Sequence, residues 1–266
     1  MDMSESGTSV APRKRRKKPD DRPLKTAALI VAHPDDETLW AGGFVLEHPS
    51  WEWLIISLCR GNDPERAPRF ARAVKRLGGS ARMGRLNDDA EQSPLPPGKV
   101  DDLLRRLLAS RKGTPFDLVI THGPRGEYTR HRRHEEVSRA VAGLWSEGQI
   151  QTRTLWMFAY EDEHGRELPH ARRDAHVQHR LPGDIWREKY RIIRNVYGFA
   201  KKSFEARTTP VVEAFWRFTD PSALETWELS PITGKDESPD AEDEEASEGA
   251  GETGDSPGPD AGDDQP

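Results

Sequence analysis

Two groups of titratable side chains in this sequence have the types and spacing that suit metal-assisted hydrolysis. Residues 33–37 read HPDDE, and residues 131–134 read HRRH. A catalytic zinc ion takes three nitrogen or oxygen ligands and keeps a fourth position open for water. His33, Asp36 and one histidine of the second group would supply that set. Asp35 would then be available as a general base.

Each group also has an ordinary structural interpretation. Acidic residues directly after a strand commonly cap the next helix, because they accept hydrogen bonds from its free N–H groups. Two histidines three residues apart share one face of a helix, and on a polar helix that face is commonly solvated. Either group alone therefore favours a structural role, and only its position in the fold can favour chemistry.

Short apolar runs alternate with helical patterns along the middle of the chain. Runs such as residues 27–32 (AALIVA) are typical of parallel strands that are buried on both faces. The alternation predicts right-handed βαβ crossovers and an α/β fold, a Rossmann-like, mostly parallel sheet with helices on both faces. The predicted strands are 27–32, 53–59, 82–86, 116–121 and 154–159. The predicted helices are 39–48, 68–77, 99–110, 135–145 and 185–201, and residues 161–184 are predicted to form a polar loop.

The two histidine-containing groups both follow predicted strands. Residues 33–37 come directly after the first strand, and residues 131–134 come after the fourth. In open α/β sheets, ligands bind outside the carboxyl ends of the strands. No glycine-rich turn of the dinucleotide or P-loop kind follows the first strand, so neither of those sites is supported. The positions therefore favour a metal site at the strand ends.

Charge is distributed unevenly along the 266 residues. The net charge is −6, but residues 13–18 read RKRRKK and the acidic excess is concentrated in residues 235–266. We therefore expect a disordered basic arm over residues 1–23, a catalytic domain over 24–234 and a disordered acidic tail over 235–266. Nucleic acid is not an expected partner, and only the basic arm would offer a contact for it.

Composition excludes several classes of protein. The chain has no stretch of about 18–20 apolar residues of the kind that a membrane span requires. The basic run is not followed by the apolar segment of a secretory signal. The single cysteine, Cys59, excludes a disulfide scaffold and a cysteine-based zinc site. A cytoplasmic location is the simplest expectation.

The two groups together resemble a known family. Residues 32–37 (AHPDDE) and the downstream H-x-x-H at 131–134 are similar to the motifs of the LmbE-like, or N-acetylglucosaminyl-phosphatidylinositol deacetylase (PIG-L), family of zinc-dependent de-N-acetylases. The resemblance covers roughly residues 24–160. It implies a Rossmann-like fold that lacks a dinucleotide site, which agrees with the strand pattern.

The resemblance also implies a role for each of five residues. Zinc would be bound by His33, Asp36 and His134. Asp35 would be the general base that takes a proton from the attacking water. His131 would be the imidazolium that stabilises the oxyanion or protonates the leaving amine.

The second motif departs from the family pattern between its two histidines. Many members read H-P-D-H, whereas Arg133 stands here directly before the second histidine. A carboxylate that would raise the pKa of His131 is therefore missing from this position. Either Glu127 or Glu136 substitutes for it, or the acid step is tuned differently.

Five further residues are candidates for contacts in the same site. Two arginines after the second strand would grip an anionic group of the substrate, and an aspartate after the third strand would contact the substrate. A histidine at the end of the fourth strand would lie next to the metal ligands, and a nearby tyrosine would donate to the oxyanion. These residues are Arg66, Arg69, Asp88, His122 and Tyr128.

The sequence therefore predicts a zinc-dependent hydrolase that removes an N-acetyl group from a small amino-sugar-like molecule, such as a sugar conjugate. Iron(II) would accept the same ligands, two histidines and an aspartate. Two alternatives stay open, namely a zinc amidase that acts on a non-sugar amide, and a non-enzymatic binding protein tethered by its basic arm.

Overall fold

A computed structural model of the chain describes residues 25–89, 91, 93–128 and 131–228. The predicted basic arm over residues 1–23 and the acidic tail over 235–266 lie outside the described residues. Within the described part of the chain, no helix has the length and apolar character that crossing a membrane requires.

A seven-stranded sheet forms the centre of the fold, in the order β3-β2-β1-β4-β5-β9-β8. The first five strands are parallel, and the last two extend the sheet by antiparallel pairing. A separate two-stranded ribbon joins β6 and β7. The strands are β1 Thr26–Val31, β2 Glu52–Cys59, β3 Ser80–Leu86, β4 Leu118–Thr121, β5 Leu155–Phe158, β6 Tyr160–Glu161, β7 His170–Ala171, β8 Val177–Arg180 and β9 Val212–Phe218.

Helices cover both faces of this sheet. The side chains of β1 alternate between two apolar layers: Ala28 and Ile30 pack in one, while Leu29 and Val31 pack in the other with Trp40. Burial on both faces explains why the strand is apolar without interruption. The helices are α1 Asp36–Glu47, α2 Arg66–Leu77, α3 Lys99–Leu108, α4 Arg132–Ser146, α5 Gly183–Arg191, α6 Phe204–Thr208 and α7 Pro221–Glu228.

The chain changes direction across the sheet at β1. It runs from β1 outward through β2 to β3, and then returns to place β4 on the other side of β1. Ile30 of β1 lies in register with Thr121 of β4. The segments that follow these two strands therefore meet at one crevice, where ligands bind in sheets of this kind. The predicted α/β fold is confirmed.

A buried ion pair lies against the middle of α1. The carboxylate of Glu213, on β9, accepts hydrogen bonds from the backbone N–H groups of Gly43 and Phe44, both at 2.7 Å. The ammonium group of Lys189, on α5, donates to the same carboxylate at 2.7 Å and to the Pro210 carbonyl at 3.3 Å. Both charged side chains are fully buried.

The prediction of a loop over residues 161–184 is wrong at strands β7 and β8. Residues 177–180 form β8, which pairs with β9 at the edge of the sheet. The strand reads VQHR, and its polar side chains hide it from a search for apolar runs. The helix predicted over 185–201 is also shorter, because α5 ends at Arg191 and a π-helical segment, Ile192–Val196, follows it.

A candidate metal and catalytic site

The turn between β1 and α1 folds the first motif back on itself. The carboxylate of Asp36 accepts a hydrogen bond from the backbone N–H of His33 at 2.9 Å. Its other oxygen accepts one from the indole N–H of Trp40 at 3.2 Å, one turn further along α1. Both contacts hold the Asp36 side chain beneath the His33 ring, so the two groups face the same point.

Three donor atoms from the two motifs converge at this point. The Nδ1 atom of His33 lies 3.3 Å from Oδ2 of Asp36 and 3.1 Å from Nε2 of His134. The same Asp36 oxygen lies 3.3 Å from Nε2 of His134. Tetrahedral zinc with bonds of 2.0–2.1 Å separates its ligand atoms by about 3.3 Å. The donor set therefore fits a small divalent cation.

The outer nitrogens of the two imidazoles face carboxylates. His33 donates from Nε2 to Asp88 at 2.8 Å, and His134 donates from Nδ1 to Glu127 at 2.6 Å. An N–H that is held by a carboxylate leaves the other ring nitrogen with its lone pair, and makes it a better metal ligand. Asp88, predicted as a substrate contact, thus touches His33 as well as lining the cavity described below.

His122 lies behind the converging donors. It is fully buried and its ring stacks on that of His134, with centroids 3.9 Å apart. Its Nε2 accepts the backbone N–H of Ala32 at 2.9 Å, and its Nδ1 donates to Glu127 at 2.9 Å. Glu127 also accepts the backbone N–H of Gly123, so this carboxylate joins the end of β4 to the second motif.

The charges of this cluster favour a cation between the donors. Burial lowers the pKa of His134, but Asp36 and Glu127 outweigh that effect and raise it to about 9. Burial raises the pKa of Glu127, yet His122 and His134 bring it down to about 2. Buried carboxylates that remain ionised need positive charge nearby, from a proton or from a metal ion.

Asp35 lines the same cavity as Asp36 but has different partners. Its φ of 113° lies in a sparsely populated region for a residue other than glycine, at a cost of about 1–3 kcal/mol. Although it precedes α1, its side chain does not cap the helix but accepts a hydrogen bond from Arg66 at 3.0 Å. Burial and the neighbouring Asp36 raise the pKa of Asp35 well above its ordinary value. Such a carboxylate is a stronger base than an ordinary aspartate.

His131 stacks on His134, with ring centroids 4.2 Å apart, and faces the same cavity. Burial and the neighbouring His134 and His33 lower the pKa of His131 to about 3. In this environment the ring is neutral at pH 7. The two carboxylates expected to support its positive charge are engaged elsewhere: Glu127 with His122 and His134, and Glu136 with Arg133.

Arg133 is fully buried and faces the loop that carries Asp88. Its guanidinium donates to the carbonyl oxygens of Asn87 at 2.6 Å and Ser93 at 2.9 Å, and it pairs with Glu136. Glu136 in turn accepts the backbone N–H of Leu95 at 2.9 Å. The unusual arginine of the second motif therefore fixes the loop between β3 and α3.

A cavity of about 310 Å³ opens above the donor atoms. Of the predicted substrate contacts, Arg66, Asp88 and Tyr128 line it. Arg69 is not among its described lining residues, because its guanidinium donates to the Tyr197 carbonyl at 2.7 Å and to Glu65 at 3.1 Å.

Sequence reasoning missed two parts of the site. Phe204 and Glu205, at the start of α6, line the cavity although they lie far along the chain from both motifs. Glu37 is fully buried, burial raises its pKa to about 7, and it accepts a hydrogen bond from the Tyr197 hydroxyl at 2.6 Å. The acidic last residue of the HPDDE motif indicates that it needs a hydrogen-bond partner, but nothing near it in the sequence identifies Tyr197 as that partner.

No protein-family profile and no curated protein matches this chain. Three solved deacetylases share its fold. The N,N'-diacetylchitobiose deacetylase of Pyrococcus horikoshii is 14% identical, with a TM-score of 0.57 over 79% of this chain and 88% of that one. The A40926 pseudoaglycone deacetylase Dbv21 is 14% identical, with a TM-score of 0.51 over 73% and 97%. A deacetylase of teicoplanin biosynthesis is 17% identical, with a TM-score of 0.50 over 65% and 84%.

At these identities the likeness establishes the fold. The fold implied by the resemblance to LmbE/PIG-L de-N-acetylases is therefore confirmed, and the site residues rest on the geometry of this chain.

Proposed function

We propose that this chain is a metal-dependent hydrolase that removes an acetyl group from the nitrogen of a small amino-sugar-like molecule. The observation that carries the proposal is the convergence of His33, Asp36 and His134, whose donor atoms lie 3.1–3.3 Å apart beneath an open cavity. Asp35 lies beside them without being one of the three. The shared fold with three deacetylases supports the same reaction class.

His33, Asp36 and His134 would hold the metal, with zinc as the proposed ion and iron(II) accepted by the same donors. When bound, such an ion polarises the substrate carbonyl and lowers the pKa of a water molecule. Asp88 and Glu127 keep the two imidazoles in the tautomers that direct a lone pair toward the ion.

Asp35 is proposed as the proton carrier of the reaction. Its raised pKa suits a base that accepts the proton of the attacking water and then returns it to the leaving nitrogen. Because the pKa of His131 is lowered to about 3, His131 is proposed to act as a neutral N–H donor to the oxygen that gains charge. Tyr128 lines the same cavity and is proposed as a further donor.

The cavity wall favours a neutral ring substrate over an anionic one. Arg66 is paired with Asp35, and Arg60 is paired with Asp88 at 2.7 Å, so both guanidinium groups already have carboxylate partners. At the rim, Phe204 is 38% exposed and its ring lies 5.1 Å from that of Tyr128. Two adjacent aromatic rings offer an apolar platform with a polar tip, which suits a hydroxylated ring.

The reaction and the metal are tested together by metal analysis and turnover of two variants. Asp35→Ala should keep the metal and lose about 10²- to 10⁴-fold in turnover, because it removes only the base. His33→Ala should lose the metal as well as turnover. Asp102→Ala, an exposed aspartate on α3, is the matched control and should change neither. Equal metal content in the Asp35 and His33 variants would contradict the assignment.

The two alternatives give different results in the same preparation. A panel of N-acetylated amines, with and without a sugar ring, is scored for release of free amine. Release only from non-sugar amides would favour the amidase. A wild-type protein that holds no metal and releases no amine would favour the binding protein.

A further inference from the structure

The backbone of Asp35 is held in place by a bond from within its own motif. With φ at 113°, the residue occupies a conformation that non-glycine residues keep only when their surroundings impose it. Its backbone N–H donates to Oε2 of Glu37 at 3.0 Å. The orientation of the Asp35 side chain therefore depends on where the Glu37 carboxylate lies.

Glu37 is itself fixed by hydroxyl groups. Its Oε1 accepts a hydrogen bond from the Tyr197 hydroxyl at 2.6 Å and one from Thr38 at 2.5 Å. Glu37 is fully buried and Tyr197 nearly so, which strengthens such bonds and excludes competing water. Since Thr38 is the next residue along α1, Tyr197 is the partner that ties the motif to a distant part of the chain.

Tyr197 directly follows the π-helical segment Ile192–Val196. Segments of this kind are rare and are found frequently at functional sites. The Tyr197 carbonyl accepts a hydrogen bond from Arg69 at 2.7 Å. Two residues further along, the ring of Phe199 packs against the guanidinium of Arg66, whose Cζ lies 5.0 Å from the ring centroid. Arg66 in turn donates a hydrogen bond to the Asp35 carboxylate.

We propose that Arg69, Tyr197 and Glu37 form a hydrogen-bonded chain that positions Asp35 for proton transfer. The three are positioning residues, and none of them is among the described residues that line the cavity. The segment after the π-helix thus reaches Asp35 by two routes. Tyr197 acts on the backbone of Asp35 through Glu37, and Phe199 acts on the carboxylate of Asp35 through Arg66. This inference rests on the proposed function, in which Asp35 carries the proton.

The test is Tyr197→Phe, with Tyr160→Phe as the matched control. Tyr160 is also buried, and its hydroxyl donates to the Trp40 carbonyl of α1 at 2.9 Å. Tyr197→Phe should keep its metal and lower kcat by about 10- to 100-fold, since small misplacements of a reacting group have effects of this size. KM should stay within about twofold, because the ground-state contacts are intact. Tyr160→Phe should lose comparable thermal stability and keep the wild-type kcat.

Arg69 is half-exposed, so a substitution at this position gives a second variant that is expected to fold. Arg69→Met removes the bond to the Tyr197 carbonyl and should lower kcat in the same direction but less, whereas Arg69→Lys should restore part of it. Wild-type kcat in both Tyr197→Phe and Arg69→Met, or equal losses in Tyr197→Phe and Tyr160→Phe, would overturn the proposal.

A crystal structure of Tyr197→Phe tests the positioning without any turnover. The Asp35 backbone should relax from its φ of 113° toward an ordinary value, and an unchanged backbone would overturn the proposal. If the wild-type protein released no amine from any substrate, the proposed function would fail while this structural readout still tested the chain of hydrogen bonds.

Discussion

Two clusters of buried charged side chains lie along helix α1, and only one of them has all its charges paired within the protein. At the N-terminal end of the helix, His33, Asp36 and His134 direct donor atoms at one another, with separations of 3.1–3.3 Å. Near its middle, Glu213 receives Lys189 and two backbone N–H groups. We refer to these as the open cluster and the closed cluster.

The difference distinguishes the proposed metal site from a structural ion pair. Within the closed cluster each charge meets its partner inside the protein, so it needs nothing further. In the open cluster, Asp88 and Glu127 bind the outer nitrogens of the two imidazoles. The inner ring nitrogens therefore direct their lone pairs toward one another. A positive charge at the centre of the open cluster completes it, because buried charge that is left unpaired is costly. Burial alone does not distinguish the two, but the direction of the donors does.

Removal of the metal should have the largest effect, and only on the open cluster. Dialysis against a chelator should abolish amine release, and zinc should restore it. Free metal at about 1,000 times its Kd should add about 4 kcal/mol to the free energy of unfolding. The metal-free protein should still unfold cooperatively, since the closed cluster is complete. Turnover that survives complete metal removal would show that the open cluster needs no ion.

Breaking the closed cluster should give the reverse result. Glu213→Gln leaves Lys189 without its counter-ion and should lower the free energy of unfolding by about 3–5 kcal/mol. Below its melting temperature, the variant should bind metal as tightly as the wild type. Chemical denaturation and metal titration measure the two quantities. A loss of metal affinity without a loss of stability would show that Glu213 acts on the metal site and that the two clusters are not independent.

Glu127→Gln should weaken the open cluster from the outside. The carboxylate orients His134, and loss of such a partner typically lowers metal affinity by about 10- to 100-fold. The control is Glu147→Gln, an exposed glutamate just after α4. Competition with a metal indicator measures both affinities. Equal affinities would mean that Glu127 does not act on the metal.

A change outside both clusters should have the smallest effect. Phe204→Ala should leave metal content and stability unchanged and raise KM about fivefold, which corresponds to about 1 kcal/mol of lost ring contact. Val211→Ala is the control, because Val211 is similarly exposed but is absent from the described lining of the cavity. A comparable rise in KM for both variants would remove Phe204 from substrate recognition.

The placement of the two motifs at strand ends could be predicted from the sequence, because it depends only on where the strands lie along the chain. His33 and Asp36 follow β1 directly, and the second motif follows β4, so the strand order brings them to one crevice. The apolar runs that revealed these strands are apolar because both faces of the sheet are covered. Strand β8 escaped prediction because a polar strand at the sheet edge gives no such signal.

The contacts between distant side chains could not be predicted. Arg69 was expected to grip the substrate, but its guanidinium reaches the Tyr197 carbonyl, 128 residues further along the chain. Whether an arginine faces a cavity or a backbone carbonyl depends on which segment packs beside it, and only the assembled fold decides that. The same is true of Asp88, whose carboxylate reaches His33 across the crevice.

Arg133 limits which substitutions the second motif can accept. Its guanidinium, its partner Glu136 and the loop that carries Asp88 depend on one another, so position 133 is not free to change alone. Replacement of Arg133 by the aspartate of the H-P-D-H pattern would bring a second negative charge next to Glu136 and remove the hydrogen bonds that hold the loop at Asn87 and Ser93. The loop would then need another anchor before position 133 could carry an aspartate.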